Sequence, residues 1–369
     1  MTSTWSKHAK ITRPQMGNYH RHEIALMGAP CDIIKAWATE MATLWAPLKV
    51  GFLDMDHHPS PLSHPFHQVV SHQQTYFEEE TAGFPSDFGL KIKFQPCDRL
   101  IINGNHFEGA EQIVFIDPKK NVAKHAKKIN APLMVIVREG ASMPTEIQEV
   151  ISENTPVFQE TQKEEITTFL KAWSLTKQPK VNGLLLVGGK SQRMGEDKSQ
   201  LVYQQEPQWK IAVDLLAPYC QEVFISCNEQ QSAQFEEHPL IVDKYLGLGP
   251  IGGILSAFQH DPDAAWLVIA VDLPLLSSQT LHQLIDQRDS STLATCFQVP
   301  DKKFPEPLIT IWEPRAYPIM LQYLSLGYSC PRKVLINEPC KVISPLTAEA
   351  LENINTPEEK EAVIKKMQP

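Results

Sequence analysis

Short apolar runs recur along this chain and alternate with segments of helical length. In the second half the runs are GLLLV (183–187), EVFISC (222–227) and AWLVIAV (265–271), separated by helix-length segments near 208–217, 250–260 and 278–287. Strands that are apolar on both faces and interleaved with helices predict a parallel sheet covered on both sides. The first half repeats the alternation less regularly: EIALMG (23–28), a helix near 32–45, LKVGFLDM (48–55), RLIING (99–104), EQIVFID (111–117) and APLMVIVRE (131–139). It reads as a second α/β unit, whose middle, 57–97, is rich in His, Pro and Ser and predicts long loops.

The two patterns meet at a break in the chain. An amphipathic helix within 159–175, carrying EEITTFLKAWSL, runs into the polar, proline-containing TKQPK just before GLLLV. That places the boundary so that 1–178 and 179–369 are the expected domains. A length of 369 residues agrees, since a single core usually stops growing before this size.

Composition narrows the class. With 42% hydrophobic and 21% charged residues the chain is globular, and a net charge of -9 with scattered Lys and Arg gives no basic field for nucleic acid. An anionic ligand must therefore be held by local groups. The seven cysteines include no CxxC pair and are odd in number, which argues against a zinc ribbon or a disulfide framework and for buried free thiols. MTSTWSKHAKITRPQ lacks the apolar run of a signal peptide, and no stretch approaches the ~18 apolar residues of a membrane span. The expectation is a cytoplasmic protein that engages neither membrane nor nucleic acid.

The candidate chemistry begins directly after GLLLV, at Gly188-Gly189-Lys190-Ser191-Gln192-Arg193-Met194-Gly195-Glu196-Asp197-Lys198. Glycines past a strand let backbone approach a ligand closely, and the amides exposed there can bind phosphate oxygens. Arg193 can grip two such oxygens with its planar fork, and Lys198 adds a movable charge. The string is neither a Walker A loop nor GxGxxG. Asp272, in VIAVDLP at the end of an apolar strand, is placed where ligands bind in open α/β sheets, and a carboxylate there can hold Mg²⁺. A lone Gly-Gly is most often a turn and a lone strand-end Asp a cap, so it is the pair that carries the expectation.

The string resembles the GGxSxRMGxDK signature of the molybdenum-cofactor guanylyltransferases, the MobA family. The resemblance assigns Asn228 and Asp243 to nucleotide recognition and Gly247-Leu248-Gly249-Pro250-Ile251-Gly252-Gly253 to the pocket wall, with Gly249 and Gly253 in the GPxxG segment. An Asp accepting from the N1–H and N2–H of guanine is a physical basis for choosing guanine over adenine. Farther on, Phe304-Pro305-Glu306-Pro307-Leu308 looks like the acceptor side, and the stretch from Gly327 to Val334 resembles a region carrying Arg332 and Lys333. There GYSCPRK departs from the family in spacing. Asn353-Ile354-Asn355-Thr356-Pro357-Glu358-Glu359 is close to the family's NxNTPEE ending, although Thr356-Pro357 also reads as a helix cap. By resemblance Arg332, Lys333, Asn353 and Asn355 hold a pterin and its phosphate.

In the first half LKVGFLDMDHHP, RLIINGNHFEG and EQIVFIDPKK resemble the MobB family of small P-loop GTP-binding adaptors. The expected P-loop, however, reads Met27-Gly28-Ala29-Pro30-Cys31-Asp32-Ile33-Ile34-Lys35 where GxxxxGK[ST] is required, with Ile33 and Ile34 in place of the second Gly and the Lys. This predicts a domain that neither binds GTP tightly nor hydrolyses it, retained as a scaffold or docking unit. His57, His58, His64, His67 and His72 match no defined ligand spacing and read as solvated loop residues.

The fold class that follows is α/β with two domains: a C-terminal Rossmann-like nucleotidyltransferase with a mostly parallel sheet, and an N-terminal P-loop-like α/β domain. The resemblance implies Mg²⁺ as cofactor, GTP and molybdopterin (or Mo-molybdopterin) as substrates, and molybdoenzymes or other cofactor-biosynthesis proteins as candidate partners. A cytidylyltransferase or sugar-phosphate nucleotidyltransferase of the same fold, and a non-catalytic molybdopterin-binding regulator, are the competing readings.

Overall fold

The structure, a computed structural model, describes residues 11–55, 68–71, 85–188, 206–299, 302–354, 359 and 361. Two compact units divide between Gln178 and Pro179.

In the first unit β1 (Glu23–Met27), α1 (Cys31–Leu44), β2 (Val50–Asp54), β3 (Gln68–Ser71), α2 (Asp87–Phe94), β4 (Arg99–Asn103), β5 (Glu111–Ile116), β6 (Pro132–Val137), α3 (Thr145–Gln148), β7 (Val157–Gln159) and α4 (Lys163–Thr176) follow in order. Seven strands make one sheet, β3-β2-β4-β1-β5-β6-β7, with parallel pairing throughout. Alternate residues face opposite layers. Ile24, Leu26, Phe52, Ile101 and Phe115 pack with Ile34 and Trp37 of α1 and Leu170 and Trp173 of α4. Ala25, Leu53, Leu100 and Ile102 pack instead on Leu90 and Phe94 of α2.

Within 57–97, where the sequence predicts long loops, the described residues form β3 and helix α2, and the rest up to 84 lies outside the described residues. Ser86 caps α2 by accepting from the Gly89 amide, and Leu90 and Phe94, four residues apart, give it a buried stripe. The predicted middle histidines, from His57 to His72, lie outside the described residues.

The second unit contains β8 (Val181–Leu186), α5 (Gln208–Leu216), β9 (Val223–Cys227), β10 (Leu240–Val242), α6 (Pro250–His260), β11 (Ala265–Ala270), α7 (Ser278–Asp286), β12 (Ala294–Phe297), β13 (Ile309–Trp312), α8 (Ala316–Ser325), α9 (Pro331–Asn337) and β14 (Lys341–Ile343). The sheet order is β10-β9-β8-β11-β13-β12-β14. β10, β9, β8 and β11 are parallel, whereas β13 runs antiparallel to both β11 and β12. The sheet is thus mostly parallel with one reversed strand.

The wholly apolar runs lie between two layers of helices, as their pattern requires. Leu185, Ile225, Leu267 and Ile269 share a core with Leu216 of α5 and Leu281 of α7. Leu184, Leu186, Trp266 and Val268 face Ile254 and Phe258 of α6, with Met320 of α8 and Val334 of α9. Trp266 sits opposite Trp312 across the β11–β13 ladder, and both are fully buried. Burying one such aromatic contributes roughly 2–3 kcal/mol. Parallel alignment of β10, β9, β8 and β11 brings their C-terminal ends to one edge, where their following loops gather.

The seven cysteines are all free, but not all are buried: Cys97, Cys227 and Cys296 are, while Cys330, just before α9, is exposed. Among the described residues no helix is long and apolar enough to cross a membrane.

Candidate nucleotide site at the carboxyl edge of the second sheet

β8 delivers Gly188 to this edge. The Val187 amide donates to the Ser226 carbonyl of β9, and the Val271 amide donates to the Leu186 carbonyl, so the ends of β8, β9 and β11 are tied together. Gly188 is exposed where it leaves the sheet. Gly189, Ser191, Arg193 and Lys198 of the predicted loop, and Asn355 of the C-terminal motif, lie outside the described residues.

Asp243 follows β10 directly, and its amide donates to the Cys227 carbonyl at 2.9 Å. Its carboxylate is half-buried and accepts a hydrogen bond from the Ser226 hydroxyl at 2.8 Å on Oδ1. The other oxygen, Oδ2, turns towards Gly188: a Cβ built on that residue would stand 3.9 Å from it. Burial holds the Asp243 carboxyl above the usual carboxylate range, and the Ser226 hydrogen bond pulls the other way. The structure therefore places Gly188 and Asp243 side by side at this edge.

Asn228 closes a local loop. Its Nδ2 donates to Gln231 Oε1 at 2.7 Å, and the Gln231 amide donates back to Asn228 Oδ1 at 3.0 Å. Gln231 Oε1 also lies 4.0 Å from the position of a Gly188 Cβ, so Gln231 reaches the same rim. Sequence reasoning missed Gln231 and Ser226. Ser226 had a signal, a polar residue inside the apolar strand EVFISC, whereas Gln231 had none.

The glycines at the start of α6 do two separate jobs. Gly249 adopts φ +67° as the residue before Pro250, a conformation that glycine takes without strain. Gly253 lies flush on the sheet, where an added Cβ would come within 2.6 Å of Ser226 Oγ and 2.8 Å of Leu186 Cδ2.

A second group forms around Asp272, in the turn after β11. Its carbonyl accepts from the Ile354 amide at 3.0 Å, which fastens the C-terminal segment and exposed Asn353 beside it. Its Oδ1 is buried. Glu306 is close enough to feel the Asp272 charge, and burial, chiefly, raises the Glu306 carboxyl above its ordinary value, opposed by Arg332. Arg332 donates through Nε to the Pro305 carbonyl at 3.2 Å and through Nη2 to Glu306 Oε2 at 3.3 Å. It is thus tied to the 304–308 segment, while the Lys333 ammonium lies over the Tyr328 ring at 4.3 Å.

Among the described residues no group of three or more His, Cys, Asp or Glu is arranged to enclose a cation.

Residues 183–340 match the family model of the MobA-like NTP transferase domain. The second unit is a MobA-like NTP transferase domain. The chain is 39% identical over 179 residues to a molybdenum cofactor biosynthesis bifunctional protein of Synechocystis, an alignment that takes in 48% of this chain and 52% of that protein. It thus spans about half the length of that relative. It is 28% identical over 190 residues to a molybdenum cofactor guanylyltransferase of Shewanella sediminis, covering 49% of this chain and 94% of the relative. Among solved structures, the molybdopterin-guanine dinucleotide biosynthesis protein A of Archaeoglobus fulgidus aligns at 21% identity with a TM-score of 0.44, over 50% of this chain and all of that one. Gly188, Asn228, Asp243, Gly249, Gly253, Asp272 and Arg332 all fall within the matched span 183–340.

Proposed function

We propose that the second domain transfers GMP from GTP to the terminal phosphate of molybdopterin or Mo-molybdopterin, forming the guanine dinucleotide cofactor and pyrophosphate. The observation that carries this is the convergence of Gly188, Asp243 and Asp272 on the carboxyl edge of β8, β10 and β11, inside the matched MobA-like domain. An acceptor phosphate oxygen attacks the α-phosphorus as the bond to the β-phosphate breaks and pyrophosphate leaves. That oxygen is already anionic near neutral pH, so no general base is needed, and catalysis comes from alignment and charge neutralisation.

In this reading the backbone amides of Gly188 and Gly189, with Arg193, hold the β- and γ-phosphates, and Lys198 stabilises charge at the α-phosphoryl group. Asp243 accepts from guanine, with Asn228 and the Gly249–Gly253 segment beside it. Asp272 would hold Mg²⁺, which when bound offsets charge on the leaving pyrophosphate. Asn353, Asn355 and Lys333 serve the acceptor side, and Arg332 shapes it through its bonds to Pro305 and Glu306.

The first unit carries no such reading. Only Gly28, Ala29 and Pro30 separate β1 from α1, and Ile34, at the place of the P-loop lysine, is fully buried in the core. The Gly28 amide donates to Asn105 Oδ1 at 3.2 Å, and Asn105 Nδ2 donates to the Ala29 carbonyl at 2.9 Å, so the turn is closed by the protein's own amide group. We infer a scaffold or docking unit, resembling the MobB adaptors, that neither binds GTP tightly nor hydrolyses it.

The test is magnesium-dependent pyrophosphate release by the full chain with molybdopterin, comparing GTP, CTP and ATP, together with the calorimetric stoichiometry of GTP. Pterin-dependent release with GTP and one GTP per chain are expected. Selective release with CTP would keep the chemistry and change the product. Failure to release pyrophosphate with any of the three triphosphates would overturn the transfer to molybdopterin in favour of a sugar-phosphate acceptor or a non-catalytic role, and two GTP per chain would overturn the inference about the first unit.

A further inference from the structure

The carboxylate of Asp243 is held by one side chain whose position in the fold suits a particular task. Ser226 is the penultimate residue of β9, 2% exposed, and its hydroxyl donates to Asp243 Oδ1 at 2.8 Å. The backbone on either side of the carboxylate is clamped as well. The Asp243 amide is bonded to the Cys227 carbonyl at 2.9 Å, and the Lys244 amide donates to Ser256 Oγ of α6 at 2.8 Å. The side-chain torsions are then what remains to be set.

The two carboxylate oxygens have different surroundings. Oδ1 faces Ser226 and the flank of α6, 3.6 Å from where a Gly253 Cβ would stand, and Oδ2 faces Gly188. We infer that Ser226 is the positioning residue that fixes the plane of the Asp243 carboxylate, and through it the preference for a nucleobase that presents two adjacent N–H donors. The inference rests on the proposed reading of Asp243 as the base-recognising residue. A carboxylate free to swing would still attract donors but would present its two oxygens to both at once only part of the time. Each carboxylate oxygen accepts more than one hydrogen bond, so the bond from Ser226 leaves Oδ1 able to accept another.

Gly253 fits the same assignment. It is the gap beside Ser226 Oγ: an added Cβ would come within 2.6 Å of that oxygen, closer than real Cβ atoms approach, and would push the hydroxyl from its place. Substituting Gly253 should therefore disturb Asp243 without touching either member of the pair.

The experiment is calorimetric binding of GTP and of ATP, each with magnesium, to the full chain and to Ser226→Ala, Ser226→Thr, Gly253→Ala and Asp243→Asn, with thermal melting as the check on folding. Ser226→Ala is expected to weaken GTP about tenfold, the scale of one lost hydrogen bond at a charged group, and to change ATP less than twofold. Ser226→Thr, which keeps the hydroxyl, should restore the preference, and Gly253→Ala should reproduce the loss if Ser226→Ala does not fold. Equal weakening of GTP and ATP would mean that the serine supports the fold only, and would overturn the inference. So would unchanged preference in Ser226→Ala alongside a lost preference in Asp243→Asn, which would leave the reading of Asp243 standing. Unchanged preference in Asp243→Asn would remove that reading itself.

Discussion

Both units gather loops at the carboxyl edge of a parallel or mostly parallel sheet, yet the two edges differ in what they leave facing outward. In the first, the polar groups there bond to each other: Asn105 takes the Gly28 amide, Asn103 donates to Asp54 at 2.6 Å, and Arg138 pairs with both Asp117 and Glu160. In the second, Gly188 leaves the sheet exposed, Asp243 turns one oxygen towards it, and Asp272 stands at the neighbouring strand end. Topology offers a ligand site at such an edge. Whether one exists depends on how many of the edge's donors and acceptors the protein consumes itself.

The largest test of this contrast is Asp272→Ala. If this carboxylate serves the reaction, turnover should fall by about a hundred- to a thousandfold, as expected when a charge-stabilising group is removed from a transfer site. The thermal midpoint should move little, since Asp272 sits in a half-buried turn. A mutant that releases pyrophosphate at the parent rate would sink the metal assignment.

Arg138→Met probes the other edge, where the expected effect is on stability. The Asp117 side chain is 0% exposed, and removing its partner leaves a buried charge, which costs about 3 kcal/mol. Urea unfolding should show that loss, while pyrophosphate release per folded molecule is retained. Lost turnover with undiminished stability would mean that the first edge has a catalytic role and would undo the comparison.

Much of the fold was legible because fully buried strands are written as unbroken apolar runs. GLLLV, EVFISC and AWLVIAV became β8, β9 and β11, and the amphipathic EEITTFLKAWSL became α4. Helix α2 was hidden, since Phe88 and Ile92 are 72% and 57% exposed and blur the stripe that Leu90 and Phe94 make. The reversed direction of β13 was equally hidden, because four residues of ITIW say nothing about which way a strand runs. In the site, Asp243 and Asp272 could be read as strand-end carboxylates. What could not be read is pairing at a distance: Ser226 with Asp243 across 17 positions, Arg332 with Glu306 across 26, and Asn105 with Gly28 across 77. The first of these is what turns a candidate residue into an oriented one, and the last is what closes a loop that composition alone left open.

The smallest expected effect, per unit of pH, separates the units by sign. His20 is buried, with its Nδ1 accepting from the His22 amide at 3.1 Å and its Nε2 3.1 Å from the Cys97 carbonyl, an arrangement that suits the neutral ring. Burial lowers its pKa to about 4, and burial followed by the charge of Arg99 lowers His22 to about 2. Unfolded histidines titrate near 6.5, so below that pH the unfolded first unit takes up protons that the folded one refuses. Its stability is full above about 6.5 and falls on acidification by up to about 1.4 kcal/mol per pH unit for each histidine, with the His20 share exhausted near pH 4. In the second unit burial raises the carboxyls of Asp243, Glu306 and Glu313, so their folded forms hold protons more readily than the unfolded chain. Their contribution is present at low pH and lost as pH rises through the folded values, the opposite direction. Equilibrating the chain in urea at pH 6.5, 5.5 and 4.5 and pulse-labelling its thiols at alkaline pH reads each unit separately, through buried Cys97 in the first and buried Cys296 in the second. On acidification the Cys97 midpoint should drop steeply and the Cys296 midpoint should hold or rise, and His20→Gln should flatten the first curve. Parallel curves that His20→Gln does not alter would show that acid sensitivity is not a property of the first unit's buried histidines.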